Sequence, residues 1–186
     1  LIYFDGELLL PTLSIPLNLL ALWLTLNLGE EERGASGRWP VIRAGVAWGL
    51  AAITRPNVLL FMPFLALWIL GVGRGVGRRG GRRSLAWAPC AWLTLGTLLP
   101  ILPVTAYNLF VGKDLVLISS QAGVNLWIGN HPGADGRTAK VPGTTSDDFL
   151  GTAGEAAGLA EREAGRPLSP SEISGHYTAK TLEYVA

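Results

Sequence analysis

The chain has 186 residues, of which 49% are hydrophobic and only 16% are charged, against about 25% in an ordinary soluble domain. Its formal net charge of +1 gives no global field for nucleic acid, and its single cysteine excludes a disulfide framework and a cysteine-rich metal site.

The charge is unevenly distributed along the chain. Residues 1–112 carry a net charge of +4 and most of the apolar side chains, whereas residues 113–186 carry −3. This division predicts a transmembrane helical region over 1–112 and an extracytoplasmic polar region over 113–186. Because the chain starts at Leu1 and stops at Ala186 within a helix-like pattern, we expect a fragment of a longer protein, truncated at both ends.

The first apolar stretch runs from Leu8 to Leu28 without a charge. As a helix its 21 residues would span roughly 31 Å, close to the ~30 Å hydrocarbon core of a bilayer. The stretch therefore predicts a membrane crossing.

The second apolar stretch, Val41–Val72, is interrupted by Arg55-Pro56-Asn57. Proline disfavours a continuing helix, so either one long helix is kinked at Pro56 or two shorter helices form a hairpin there. In the hairpin the arms would pack through small side chains, namely Gly45, Ala47, Gly49 and Ala52.

Arginines in the two short loops favour the hairpin. Residues 73–84 carry five arginines and no acid, and residues 29–43 carry three more, which indicates that both loops are cytoplasmic. The stretch between them then crosses an even number of times, which places Arg55 near the outer surface. The third stretch, from Leu85 to about Gly112, starts inside and ends outside, giving about four crossings.

The polar region shows strand-like and helix-like patterns. Residues 115–119 and 124–128 read as short strands. Ser146 could cap a helix ending before Gly165, and Ser169-Pro170-Ser171-Glu172 has the spacing of a capping box. The expected fold is mainly α: a polytopic α-helical membrane protein fragment with about four crossings and a small extracytoplasmic α+β C-terminal region.

The chemistry-bearing residues are few. There is no phosphate-binding loop, nucleophile elbow, dinucleotide fingerprint or zinc-protease motif. A metal pair of His131 and Asp135 lacks further ligands, and Asp147-Asp148 is better explained by helix capping. We therefore predict no metal site, no cofactor and no catalytic residue within the chain.

Arg55 is the one candidate binding residue. A charge at the edge of an apolar hairpin is costly and usually faces a headgroup, a cavity or an anion. Arg55 therefore either extends to the outer lipid headgroups or binds the phosphate of a lipid-linked substrate.

Two runs carry a family resemblance. The run AGVAWGLAAITRPNVLLFMPFLALWIL resembles a helix pair in bacterial membrane glycosyltransferases of the GT-C type, relatives of dolichyl-phosphate-mannose–protein mannosyltransferases and aminoarabinose lipid A transferases. The later run YNLFVGKDLVLISSQAGVNLWIGNHPGADG resembles the stretch where such proteins enter an outer domain, with Ala122-Gly123 before Ile128-Gly129-Asn130-His131-Pro132.

The resemblance implies an enzyme of the bacterial inner (plasma) membrane. Its donor would be a polyprenyl-phosphate-linked sugar reached from the extracytoplasmic side, with membrane lipid as a partner and an acceptor that the sequence does not identify. The family's catalytic base is an acidic residue in a first outer loop, and Asp5 and Glu7 do not match that pattern. The fragment is thus expected to lack the catalytic loop of a hexosyl or pentosyl transferase.

Two other functions compete with the transferase. One is a polytopic transporter fragment, although no internal repeat is visible. The other is a non-enzymatic membrane anchor with an outer interaction domain.

Overall fold

The computed structural model describes residues 9–28, 38–76, 87–138, 140–146 and 149–186. The chain divides into two compact units, Leu1–Val104 and Thr105–Ala186. The described helices are α1 (Leu9–Leu26), α2 (Trp39–Thr54), a 3-10 helix (Pro56–Phe61), α3 (Met62–Val76), α4 (Ala88–Phe110), α5 (Ala122–Asn130), α6 (Phe149–Ala164) and α7 (Pro170–Val185).

The prediction of about four membrane crossings is wrong for the described helices. Only α4, with 23 residues, is both long and apolar enough to cross a bilayer. The 16-residue α2 and the 15-residue α3 would span only about 24 and 22 Å, because the break at Arg55 divides the second stretch into two short pieces. In α1 the apolar segment Thr12–Leu26 is likewise short.

The expected α+β character of the C-terminal region is also wrong, since its described residues contain no strand. Residues 124–128 lie inside α5, where Val124, Trp127 and Ile128 have helical spacing and pack on one buried cluster. Residues 115–119 are irregular because their carbonyl groups accept side-chain hydrogen bonds from α4. The Asn108 amide donates to the carbonyls of Val116 and Ile118, and the Thr105 hydroxyl donates to that of Leu117.

In the N-terminal unit the chain breaks between α2 and the 3-10 helix, so a single helix across 41–72 is wrong. A buried cluster joins the elements on both sides of the break: Ala21 of α1, Ala44, Ala47 and Trp48 of α2, Leu65 and Ile69 of α3, and Leu93 of α4. The small residues have a partner that the sequence did not indicate. A methyl group on Gly45 would overlap the Leu93 carbonyl oxygen, and one on Gly49 would overlap that of Thr97, so both glycines face α4.

A buried hydrogen bond connects α1 and α2 within this unit. The Thr25 hydroxyl donates to the Ala21 carbonyl at 2.7 Å and accepts from the Trp48 indole N–H at 3.0 Å. Because both side chains are buried, removing the hydroxyl leaves the indole donor without an acceptor.

We therefore expect Thr25→Val to destabilise the N-terminal unit by about 1–2 kcal/mol, whereas Thr25→Ser retains most of the stability. The check is thermal unfolding in detergent followed by circular dichroism. Thr94→Val, which removes an exposed hydroxyl of α4, is the matched control and should change the melting temperature little. Equal melting temperatures for Thr25→Val and Thr94→Val would contradict the assignment.

The C-terminal unit packs α5 and α6 against α7. Its buried cluster contains Val141, Ala156, Ala160 and Tyr177, and the Tyr177 hydroxyl donates to the Ala156 carbonyl at 2.8 Å. The capping box predicted at Ser169 is confirmed, since Ser169 and Glu172 exchange side-chain to backbone hydrogen bonds. Asp114 reinforces this helix start, because its carboxylate accepts from the Ser171 N–H at 2.7 Å and from its hydroxyl at 2.6 Å.

The helix start predicted at Ser146-Asp147-Asp148 includes two residues outside the described ranges, and α6 is described from Phe149 to Ala164. The Ser146 hydroxyl donates to the Glu155 carboxylate, which also accepts from the Thr145 backbone N–H. These hydrogen bonds hold the pKa of Glu155 at about 2, with the Ser146 hydroxyl as the largest contribution. Hydrogen bonds from the Ser171 hydroxyl and backbone N–H likewise lower the pKa of Asp114.

Both carboxylates make the C-terminal unit sensitive to acid. A folded-state pKa below the unfolded value contributes stability that is present above the unfolded value and disappears as the pH falls through the folded one. For Glu155 that window runs from about 4.5 down to about 2. We expect the melting temperature to fall progressively across this window.

Glu155→Gln should melt lower than the parent at pH 7 and show a smaller further decrease between pH 5 and pH 3. Thermal unfolding at a series of pH values provides the measurement. Parallel pH profiles for the parent and Glu155→Gln would exclude Glu155 as a source of the acid sensitivity.

Candidate functional site

The predicted binding residue Arg55 lies at the break between α2 and the 3-10 helix. Its backbone is extended, with φ −144° and ψ 99°, while its N–H still donates to the Ala51 carbonyl and so closes the last turn of α2. Pro56 begins the 3-10 helix, and the Val58 N–H donates to the Arg55 carbonyl at 3.1 Å. The guanidinium is therefore carried on an exposed corner whose backbone is fixed on both sides.

An apolar groove of about 450 Å³ is lined in part by the 3-10 helix that follows Arg55. It is lined by side chains of α1, α2 and the 3-10 helix, namely Ile15, Asn18, Leu19, Leu22, Trp48, Val58 and Phe61. Trp48 and Phe61 form a tilted ring pair across the break, with centroids 5.6 Å apart. Val58 lines the groove, and its N–H donates to the Arg55 carbonyl, so the backbone of Arg55 is connected directly to one residue of the groove.

The C-terminal unit contains a separate open cleft of about 580 Å³. One side is formed by Trp127 near the end of α5 and by the turn after that helix, and the other by Thr138, Lys140 and residues 141–144. Its lining combines apolar and polar side chains: Trp127, Pro132, Val141 and Pro142 with His131, Asp135, Thr138, Lys140 and Thr144, and with Gly133 and Gly143. Four residues of the run IGNHPGADG, namely His131, Pro132, Gly133 and Asp135, thus line this cleft.

The polar groups of the cleft are held by hydrogen bonds in their own turn. His131 Nδ1 accepts from the Gly133 N–H at 3.0 Å. The Asp135 carboxylate accepts from the backbone N–H groups of Arg137 and Thr138 and from the Thr138 hydroxyl. These bonds, with Arg137 N–H first, lower the pKa of Asp135 to about 2, so the cleft contains a carboxylate at neutral pH.

Trp127 is braced from α7. Lys180 Nζ lies 5.6 Å from the centroid of the Trp127 ring, and both oxygens of Glu163 accept from the same ammonium at 2.7 Å. Lys180 is the main cause of the lowered pKa of Glu163, with a smaller effect of His176. The tryptophan that lines the cleft is therefore fixed by a cation and by the packing of α5 on α7.

Of the other acidic residues considered in the sequence, Asp5, Glu7, Asp147 and Asp148 lie outside the described residues. The arginines at 78, 79, 82 and 83, on which the predicted orientation depends, lie outside them as well. His131 and Asp135 line the same cleft, but across the described ranges no three His, Cys, Asp or Glu side chains lie close enough together to hold a metal ion.

The sequence did not reveal the cleft as a binding feature. Trp127 looked like a strand residue, and Thr138, Lys140 and Thr144 fell in a stretch that looked like irregular loop. The feature of the sequence that could have indicated the cleft is the dense group of turn-forming residues, 129–133, shortly after Trp127.

Comparisons with protein-family models, with curated proteins and with solved structures found no match to this chain.

Proposed function

We propose that this chain is part of an integral-membrane glycosyltransferase that transfers a sugar from a polyprenyl-phosphate donor to an acceptor on the extracytoplasmic side of a bacterial inner membrane. The observation that carries the proposal is the Arg55 corner, where an exposed arginine lies three residues before Val58, one of the residues that line an apolar groove. A polyprenyl phosphate has the matching chemistry, because an anionic phosphate is attached to a long apolar chain.

Exposed apolar side chains support a membrane location for the N-terminal unit. Leu60 is 77% exposed and Phe64 is 66% exposed, and similar side chains cover the outer face of α1, namely Leu13, Ile15, Leu19, Leu20, Leu22, Trp23 and Leu26. Soluble monomers rarely expose contiguous apolar patches larger than a few hundred Å². Lipid would cover these side chains, and α4 has the length and composition for a crossing.

The proposed reaction gives the guanidinium a clear role. The acceptor oxygen forms a bond to the anomeric carbon of the sugar while the bond from that carbon to the phosphate oxygen breaks. The polyprenyl phosphate leaves with the electron pair, and the acceptor proton passes to a carboxylate base, the role that the resemblance gives to an acidic residue of a first outer loop. Negative charge grows on the phosphate during this step, and a nearby guanidinium stabilises it.

The test is selective binding of the lipid carrier to the full chain in lipid nanodiscs. Undecaprenyl phosphate and undecaprenol form a matched pair that differs only in the phosphate, and native mass spectrometry counts the copies retained by the protein. We expect the phosphate form to be retained at least about tenfold better, as one charge-assisted contact would give. Equal retention of both lipids would contradict the proposal and favour an arginine that only contacts headgroups.

A further inference from the structure

We propose that the cleft of the C-terminal unit, lined by Trp127, by the turn around His131 and Asp135, and by residues 140–144, is a binding site for a neutral sugar ring. The inference does not depend on the transfer reaction, because the cleft is formed by residues other than those at the Arg55 corner and its ligand can be measured without turnover. Its volume of about 580 Å³ lies within the ~300–1,000 Å³ range of small-molecule sites.

The apolar part of the cleft suits one face of a sugar. A pyranose ring has a face of C–H groups, which packs on aromatic and aliphatic surface, and an edge of hydroxyl groups. Trp127 supplies the aromatic surface and the exposed Pro142 supplies aliphatic surface, whereas Val141, only 2% exposed, forms the floor of the buried cluster and offers little surface to a ligand. Because Lys180 and Glu163 brace Trp127, its ring loses little further freedom when a ligand binds.

One hydrogen-bond donor of the cleft is the His131 imidazole, and a hydrogen bond in its own turn determines which of its nitrogens carries the proton. Since Nδ1 accepts the Gly133 N–H, the proton of the neutral imidazole lies on Nε2, which becomes a hydrogen-bond donor. The Lys140 ammonium adds a second donor to the lining.

The acceptor in the cleft is the Asp135 carboxylate. Its Oδ1 receives two backbone N–H groups, whereas Oδ2 receives the Thr138 hydroxyl and has a second lone pair with which to accept a ligand hydroxyl. Sugar hydroxyls both donate and accept, so a lining that offers donors and an acceptor matches them. The lining combines one carboxylate, Asp135, with one ammonium, Lys140, so it has no excess positive charge to favour phosphate over a neutral ring, and its polar groups disfavour a purely apolar ligand.

The test uses the full chain in a sugar-free detergent and saturation-transfer NMR with methyl β-glucopyranoside. Cyclohexanol, which keeps a six-membered ring and one hydroxyl, is the matched control ligand, and inorganic phosphate is the competitor. We expect a dissociation constant of about 1–10 mM for the glycoside, as is reasonable for a small ligand in an open cleft, and at least about fivefold weaker binding of cyclohexanol.

Two variants each remove one of the proposed donors of the cleft. His131→Asn keeps an acceptor for the Gly133 N–H but loses the Nε2 donor, and Lys140→Gln removes the ammonium. Each should weaken glycoside binding about three- to tenfold. Arg137→Gln removes a charge close in sequence that does not line the cleft, and it should leave binding unchanged.

Three results would overturn the proposal. The first is the absence of a saturation-transfer signal at a glycoside concentration of roughly 0.5 M, which is 50 times the weakest expected dissociation constant. The second is competition by cyclohexanol or phosphate that equals that of the glycoside itself. The third is equal binding of the glycoside by His131→Asn, Lys140→Gln and Arg137→Gln. None of them bears on polyprenyl phosphate retention, so failure of the sugar site and failure of the proposed transferase are distinguishable.

Discussion

Replacing Gly123 with alanine is expected to destabilise the C-terminal unit by about 3 kcal/mol or more. The added methyl group would overlap the Ser174 carbonyl oxygen of α7 and lie 2.7 Å from both the carbonyl carbon of that residue and the Thr178 hydroxyl. Because the first two atoms are backbone, no side-chain rotation relieves the overlap and α5 must move away from α7.

That movement would affect more than one contact. The Gly123 N–H donates to the Ser174 hydroxyl at 3.0 Å, and the same helix carries Val124, Trp127 and Ile128 into the buried cluster around Tyr177. Displacing α5 opens this cluster and moves Trp127 out of the cleft. With total stabilities of about 5–15 kcal/mol for a domain, such a loss removes a large fraction of the folding free energy.

Gly129 provides the matched control on the same helix. A methyl group there meets no atom within 4 Å, so Gly129→Ala should be neutral or up to about 1 kcal/mol stabilising through helix propensity. Thermal unfolding and hydrogen exchange of the α5 and α7 amides measure both variants. Equal protection of these amides in Gly123→Ala and Gly129→Ala would show that α5 does not pack on α7 at this distance.

Gly123 also shows what the sequence could and could not predict. The capping signals at Ser169 and Glu172 and the stop at Gly165 predicted the limits of helices well, since each depends on residues close in sequence. The contact of Gly123 with Ser174 joins residues 51 positions apart, and a glycine alone does not indicate which backbone approaches it.

The strand predictions failed for the same physical reason. Leu115–Ser119 is rich in β-prone residues, but its carbonyls find donors on Asn108 and Thr105 in the preceding helix, so no strand partner is needed. Val124–Ile128 fits both a strand and a helix over five residues, and packing on α7 favours the helix. Tertiary hydrogen bonds and burial decide short apolar runs that local propensity leaves ambiguous.

The candidate sites divide in a similar way. The helix break at Arg55 was predictable because the proline after it interrupts the helix locally, while the binding role of Arg55 stays a prediction. The cleft was not, because its walls combine the end of α5 with the returning segment that contains Lys140 and Thr144, and only the fold brings these together.

Loss of the Arg55 guanidinium is the second change with a large expected effect. Under the proposed function, Arg55→Gln should lower sugar transfer by about 30- to 1,000-fold in the transferase of which this chain is a part, corresponding to about 2–4 kcal/mol. The phosphate becomes more negative as the sugar departs, so the guanidinium favours the transition state over the ground state, and the loss should appear in kcat.

Arg55→Lys separates charge from geometry. Guanidinium can donate two parallel hydrogen bonds to a phosphate, whereas ammonium acts as a point charge, so the lysine variant should recover only part of the activity. An arginine that merely reaches the headgroups predicts instead that lysine works nearly as well, because long cationic side chains of either type extend to the interface. An arginine that only contacts headgroups also predicts that Arg55→Gln lowers protein yield more than turnover per folded molecule.

Arg43→Gln is the matched control for these measurements. Arg43 is an exposed arginine on α2, twelve residues before Arg55 and so about 18 Å away along a helix. Its loss should leave transfer unchanged if the effect at Arg55 is local to the corner and its groove. Transfer from the polyprenyl-phosphate donor, normalised to folded protein, decides between the two roles. Near-normal turnover in Arg55→Gln would end the phosphate hypothesis.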